Sequence, residues 1–164
     1  MTLIKNGAII ADPFVNASKA ESIPASGAVI VSLDQWQANR AALLARGTPV
    51  GVQLGSDQHP RAIRADLNSL AVVALEFPAF RDGRAYSYAT LLRRYGYRGE
   101  IRAVGDVLLE QLHFMQRCGF TTYIYNGVDP TGDWATANAD MSVWYQPTGD
   151  EHPTAIELRH RRLH

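Results

Sequence analysis

Apolar residues alternate between two patterns along this chain: short continuous runs rich in Val, Ile and Ala, and longer stretches where they recur every third or fourth position. The first pattern predicts strands covered on both faces, the second amphipathic helices. Residues 28–33, 50–54, 71–75, 101–104 and 121–125 are runs of the first kind. After the first run, Asp34 is placed to cap a helix containing Trp36, Leu43 and Leu44, and Arg46 with Gly47 favours its end. Pro60 opens a second helix, with Ile63, Leu67 and Leu70 inward. Ser87 caps a third, with Leu91, Leu92 and Tyr95 inward and Gly96 beyond it. Asp106 caps a fourth, carrying Leu108, Leu112 and Met115, which Gly119 closes while Phe120 packs back over its last turn.

Ahead of these units, Asn6-Gly7 between two apolar triplets predicts a hairpin with a type I′ turn, ended by Asp12-Pro13. Residues 16–27 read as a polar connector. Beyond the last run, Asp129-Pro130 opens a weaker helix to about residue 140, residues 142–145 suit one more strand, and residues 158–164 form a basic tail expected to be disordered. The organisation expected is therefore a hairpin and connector over 1–27, an α/β core over 28–146 and a basic tail over 147–164.

Strand followed by helix, repeated, implies parallel strands joined by right-handed crossovers. The expected fold is α/β with a mainly parallel sheet, either curled as a partial (β/α) barrel or open and doubly wound. Compact units without a glycine-rich nucleotide turn favour the curled form. A partial barrel leaves apolar edges, which the N-terminal hairpin or association into a homodimer would cover.

Composition narrows the function classes. The 164 residues, 46% of them hydrophobic, suit one domain with a substantial core. Sixteen basic and sixteen acidic residues cancel, so the broad positive footprint of a nucleic-acid binder is missing and any anion must be held locally. A single cysteine, Cys118, excludes an internal disulfide framework and any Cys-x-x-Cys pattern; at a helix C-terminus the dipole raises a thiol's pKa, which suits a packed thiol. No window approaches the roughly 18–20 apolar residues that span a bilayer, so no membrane partner and a cytoplasmic location are expected. His59 and His113 lack a second ligand at metal spacing, no metal is expected, and no Gly-x-Gly-x-x-Gly or Walker A pattern calls for a nucleotide cofactor.

In either arrangement the carboxyl ends of parallel strands share one rim. That rim collects Asp34, Gln53, Ser56, Asp57, Glu76, Asp82, Arg84, Tyr86, Ser87, Gly105, Asp106 and Asn126. Glu76 follows an apolar strand, where a carboxylate is costly unless paired or functional. It is a candidate acid or base, or else a structural partner of Arg102 on the neighbouring strand. Asp82-Gly83-Arg84 with Tyr86 and Ser87 would gather a guanidinium, two hydroxyls and the amides of a helix start, groups that bind oxyanions; a tight turn with a capping serine is the structural alternative. Gly105-Asp106 offers a second helix start, where a capping Asp106 would itself occupy the amides. The catalytic candidates are thus Glu76, Asp82 and Arg102, and the substrate-binding candidates are Arg84, Tyr86, Ser87, Gly105 and Asp106.

Glu76-Phe77-Pro78, Asp82-Gly83-Arg84, Tyr86-Ser87, the stretch from Arg102 to Leu108, Gln111-Leu112, Met115 and the stretch from Arg117 to Phe120 resemble a bacterial family known as domain of unknown function nine-three-four. The resemblance covers most of residues 1–125 and is specific as a signature. It implies a setting rather than a mechanism: members are commonly encoded beside assimilatory sulfite or nitrite reductase genes and carry the label of oxidoreductases of sulfite reduction. One cysteine and no cofactor motif leave no visible electron carrier in this chain. Three functions are expected in consequence: an accessory protein of assimilatory sulfite or sulfate reduction that binds a small oxyanion or the reductase at the rim, an enzyme using Glu76 on an anionic substrate, or a pseudoenzyme kept as an interaction module.

Overall fold

A computed structural model describes residues 1–139, 143–148 and 152–161 of the chain. Eight strands make one sheet: β1 (Thr2–Lys5), β2 (Ala8–Ile10), β3 (Phe14–Asn16), β4 (Ala28–Ser32), β5 (Val50–Leu54), β6 (Val72–Phe77), β7 (Glu100–Gly105) and β8 (Thr122–Tyr125), in the order β2-β1-β8-β7-β6-β5-β4-β3. β3 through β8 are mutually parallel, and β1 runs antiparallel to both β8 and β2. The helices are α1 (Leu33–Ala45), a 3₁₀ helix (Pro60–Ser69), α2 (Arg84–Arg94), α3 (Leu109–Cys118), α4 (Pro130–Ala139) and α5 (Ala155–Arg161).

Connectivity alone requires the sheet to curl. β2 and β3 are its opposite edges, and seven strand spacings laid flat would put them about 34 Å apart. Only residues 11–13 join them, and that link reaches at most about 14 Å. The sheet therefore bends into a half-barrel whose opening is crossed by residues 8–16. This segment keeps one direction throughout, its first triplet pairing with β1 and its last with β4. The curled arrangement is the one adopted, and the hairpin covers the β8 edge. Each remaining edge is three residues long, a length that discourages pairing with another sheet.

The alternation along each strand separates two cores. On the convex face Val31, Leu54, Val73, Leu75 and Ile101 pack beneath Trp36, Leu43, Ile63, Leu92, Leu112 and Met115 of the helices. On the concave face Ile30, Val72, Ala74 and Val104 meet Phe14 and Ile124. Arg102 lies there too, 1% exposed, its guanidinium over the Phe14 ring. From β7 it reaches across to Asp12 in the crossing link, with Nη1 donating to Oδ2 at 2.8 Å, and its Nε donates to Glu100 Oε1 at 2.8 Å.

Several boundaries differ from expectation, each for a local reason. Ser32, not Asp34, caps α1: its hydroxyl accepts from the Gln35 N–H while Gln35 returns a carbonyl to the Ser32 N–H. α2 starts at Arg84 behind Gly83, so Ser87 lies inside the helix and caps nothing. α3 starts at Leu109, and the side chain of Gln111 accepts from the Leu108 N–H; Asp106 is left in the turn before it. The segment from Pro60 is a 3₁₀ helix, capped by His59 Nδ1 on the Arg61 N–H. β3, in what reads as the end of a hairpin and the start of a connector, has no periodic signal of its own. The hairpin turn is as expected, with Asn6 and Gly7 at φ 49° and 79°. Of the expected strand at 142–145, Ser142 lies outside the described residues and Trp144 forms only a bridge with Thr154. The expected disordered tail is helical through Arg161 in α5, and residues 162–164 lie outside the described residues.

Candidate functional site

Because β4 to β8 are parallel, their carboxyl ends open on one mouth, and the residues just beyond those ends build the site. A cup of about 240 Å3 lies over the ends of β4, β5 and β6, bordered by Ser18, Lys19, Ser32, Gln53, Gln58 and Glu76 among others. Gln53 is 8% exposed at the penultimate position of β5. Its Oε1 accepts from Asn16 Nδ2 at 3.0 Å and Ser18 Oγ at 3.1 Å, which leaves the Nε2 protons without a protein partner among the described residues. The loop bearing Ser18 and Lys19 is fixed from outside: Gln35 Nε2 donates to the carbonyls of Ala17 (3.1 Å) and Ala20 (2.9 Å). The side chain that completes the α1 cap thus also anchors one wall of the cup.

Glu76, half-buried within β6, faces Lys19 at 3.5 Å. The lysine side chain is 82% exposed, so the pair is screened by water and weak. Arg102 is not the partner of Glu76, which removes the structural pairing, one of the two readings of Glu76 that the sequence allows. The β6–β7 register puts Arg102 opposite Ala74, two residues below Glu76, and from there its guanidinium turns inward to Asp12 and Glu100.

Beside the cup, Arg84 is bound to Asp82 by two bonds, Nε to Oδ1 at 3.0 Å and Nη2 to Oδ2 at 2.6 Å. The Arg84 Nη2 also donates to Ser56 Oγ at 2.7 Å. Those donors hold the Asp82 carboxyl far below the usual carboxylate range and raise Arg84 further. Asp82-Gly83-Arg84 is therefore a self-satisfied turn, with its cation already spent on its own anion. Gly105 has φ +93°, and a methyl group there would run into the Phe77 carbonyl oxygen. That carbonyl accepts from the Asp106 N–H at 2.8 Å, so Gly105 and Asp106 shape the end of β7 and stand apart from the cup.

Of the residues singled out from sequence, Glu76 lines the cup, Asp82 and Arg84 pair on the adjoining rim, and Arg102 lies inside the half-barrel. Tyr86 and Ser87 face a second, larger depression on the helical side. Burial against Phe77 and Phe114 pushes the Tyr86 hydroxyl up to about 12. Lys19, Ser18 and Asn16 carry no signal in the sequence that marks them as site residues, since only closure of the half-barrel brings the connector to the mouth. Among the described residues no group of three or more His, Cys, Asp and Glu side chains is placed to hold a metal, and no helix is long and apolar enough to cross a membrane.

Fold and site together define a curled, mainly parallel α/β half-barrel with a polar cup at its strand ends. Residues 51–156 match the family described as bacterial protein of unknown function (DUF934), and the chain belongs to that family. No curated protein matches it.

Proposed function

We propose that this protein is an accessory factor of assimilatory sulfite reduction that works by binding, with the strand-end mouth as its contact face for the reductase. The observation that carries the reading is that the mouth has no spare cation among the described residues. Lys19 faces Glu76 and Arg84 is bound to Asp82, Asp57 adds a further carboxylate to the lining, and Ser18, Ser32, Gln53 and Gln58 supply neutral donors and acceptors. Such a surface suits the polar side chains of a partner protein better than a free oxyanion, which would have to displace Asp82 from Arg84 or Glu76 from Lys19. The sulfur-assimilation setting comes from the family resemblance alone.

Pull-down of assimilatory sulfite reductase by the intact chain, beside calorimetric titration with sulfite, sulfate and adenylyl sulfate, tests this. Capture of the reductase without heat from the small anions is the expected pattern. Heat from an anion without capture moves the site to oxyanion binding, and neither signal ends the proposal.

A second reading has its own support: Glu76 is a half-buried carboxylate at the end of a barrel strand, next to the ammonium of Lys19 and to the amide of Gln53, whose donors have no partner among the described residues. Barrel enzymes place an acid or base there. Under that reading Glu76→Gln folds normally yet fails to support growth on sulfate, and full complementation by that variant removes it.

A further inference from the structure

Across the convex face, away from the cup, α2 and α3 flank a depression of about 680 Å3. One wall is a single face of α2, another presents Phe114 of α3, and Gln146, Pro147 and Thr148 also border it. Its polarity is unlike that of the mouth. Arg93, Arg94 and Arg98 line it, and no carboxylate does among the described residues, in a chain whose formal charge is zero.

The three arginines differ in what already holds them. Arg93 is fixed, donating to the carbonyls of Gly119, Tyr97 and Gly99, and so ties the end of α2 to the end of α3. Arg94 and Arg98 have no hydrogen-bond or ion-pair partner among the described residues, whereas Arg40, Arg84 and Arg102 each face a carboxylate. Two guanidinium groups with no partner among the described residues, beside a third, rigid one, make an anion site of the fork type.

The other end of the depression is aromatic. Phe114 is 47% exposed, with the Tyr86 ring behind it at 5.0 Å between centroids and Phe77 behind that at 5.1 Å. A large exposed aromatic buttressed from below is a stacking platform. Ser87, exposed on the same helix, offers a hydroxyl between the two ends. From Tyr86 to Arg94 along α2 is about 12 Å, a separation that demands a ligand with its flat ring and its anion well apart.

We infer that this depression binds a nucleoside diphosphate, its base stacked on Phe114 and its phosphates held by Arg94 and Arg98. The volume lies within the range of small-molecule sites. A simple oxyanion would leave the aromatic end unused, and an apolar ligand would leave the cations unused. The site is independent of the mouth, so neither reading depends on the other.

The probe is ADP, titrated calorimetrically into the intact chain and compared with adenosine and with pyrophosphate, each part binding more weakly than the whole. The double variant Arg94→Ala/Arg98→Ala is expected to lose about tenfold or more in ADP affinity. Phe114→Ala should weaken ADP binding while leaving pyrophosphate binding unchanged. An unchanged far-UV spectrum and melting temperature confirm that both variants fold. Absence of ADP binding at millimolar concentration overturns the inference, as does equal affinity of the double variant. Binding of pyrophosphate as tight as ADP, or of an acidic peptide in preference to ADP, replaces it with a plain anion site or a peptide groove respectively.

Discussion

Asp12→Ala is the substitution that tests the half-barrel most sharply, because Asp12 sits in the three-residue link across its opening and pairs with the arginine buried inside it. Arg102 has a side chain only 2% exposed, with Asp12 on Nη1, Glu100 on Nε and, among the described residues, no partner on Nη2. Removing one partner of a buried ion pair costs about 3–5 kcal/mol, since the remaining charge is left uncompensated. Two features lower that figure here: the Asp12 side chain is 31% exposed, so water can enter, and Glu100 remains in place. The expected loss is therefore about 2–3 kcal/mol, at or just below the lower end of the range. For a chain of this size that corresponds to a fall of about 5–10 °C in Tm, read by circular dichroism at fixed pH and salt. Arg102→Met should cost less than Asp12→Ala. It removes the orphaned donor and leaves two carboxylates that are each partly hydrated, and in combination with Asp12→Ala it should recover most of the lost stability. A shift below about 1 °C for Asp12→Ala would refute the reasoning. By contrast, Lys19→Ala at the exposed pair should change stability by under about 0.5 kcal/mol.

Asp66 accepts from Trp36 Nε1 at 3.1 Å and from Arg40, which holds its carboxyl below the usual range. A depressed folded-state pKa adds stability above the ordinary carboxylate value of about 3.9 that is lost as pH falls through the folded value. Asp66→Asn should thus lower stability at neutral pH and flatten the acid limb of a pH-melting series; an unaltered acid limb would count against this. Gly105→Ala forces a β-carbon into left-handed backbone against the Phe77 carbonyl. It should cost at least about 2 kcal/mol by urea unfolding, and a smaller cost would mean that the end of β7 yields easily. Ser32→Ala removes the α1 cap and should cost about 1 kcal/mol, with faster hydrogen exchange at Gln35 as its local signature.

Periodicity in the sequence encodes the core and little beyond it. The five core strands lie where continuous apolar runs place them, because a strand covered on both faces has no polar side to show. The hairpin is legible in Asn6-Gly7, whose backbone matches the turn that pair prefers. Closure is the illegible part. β3 is three residues long, and its pairing with β4 is a long-range fact that no local window contains. The same gap explains the site. Glu76 can be placed at the rim from sequence, but its partner Lys19 comes from the connector, and adjacency of β6 and β7 points to Arg102 instead. The register and the inward turn of the Arg102 guanidinium decide otherwise. Ser87 and Asp106 have the residue types of caps but cap nothing, because the signals that win, Gly83 and the Gln111 side chain, depart from the commonest capping pattern.

Amide hydrogen exchange of this protein, alone and with assimilatory sulfite reductase in excess, reads the proposed contact face for the reductase at the strand-end mouth. Slowed exchange is expected over residues 17–20, 53–58 and 76–84, which border the mouth, with residues 3–10 of the hairpin unchanged. Protection confined to the hairpin or to the helical face, or none anywhere, would contradict it.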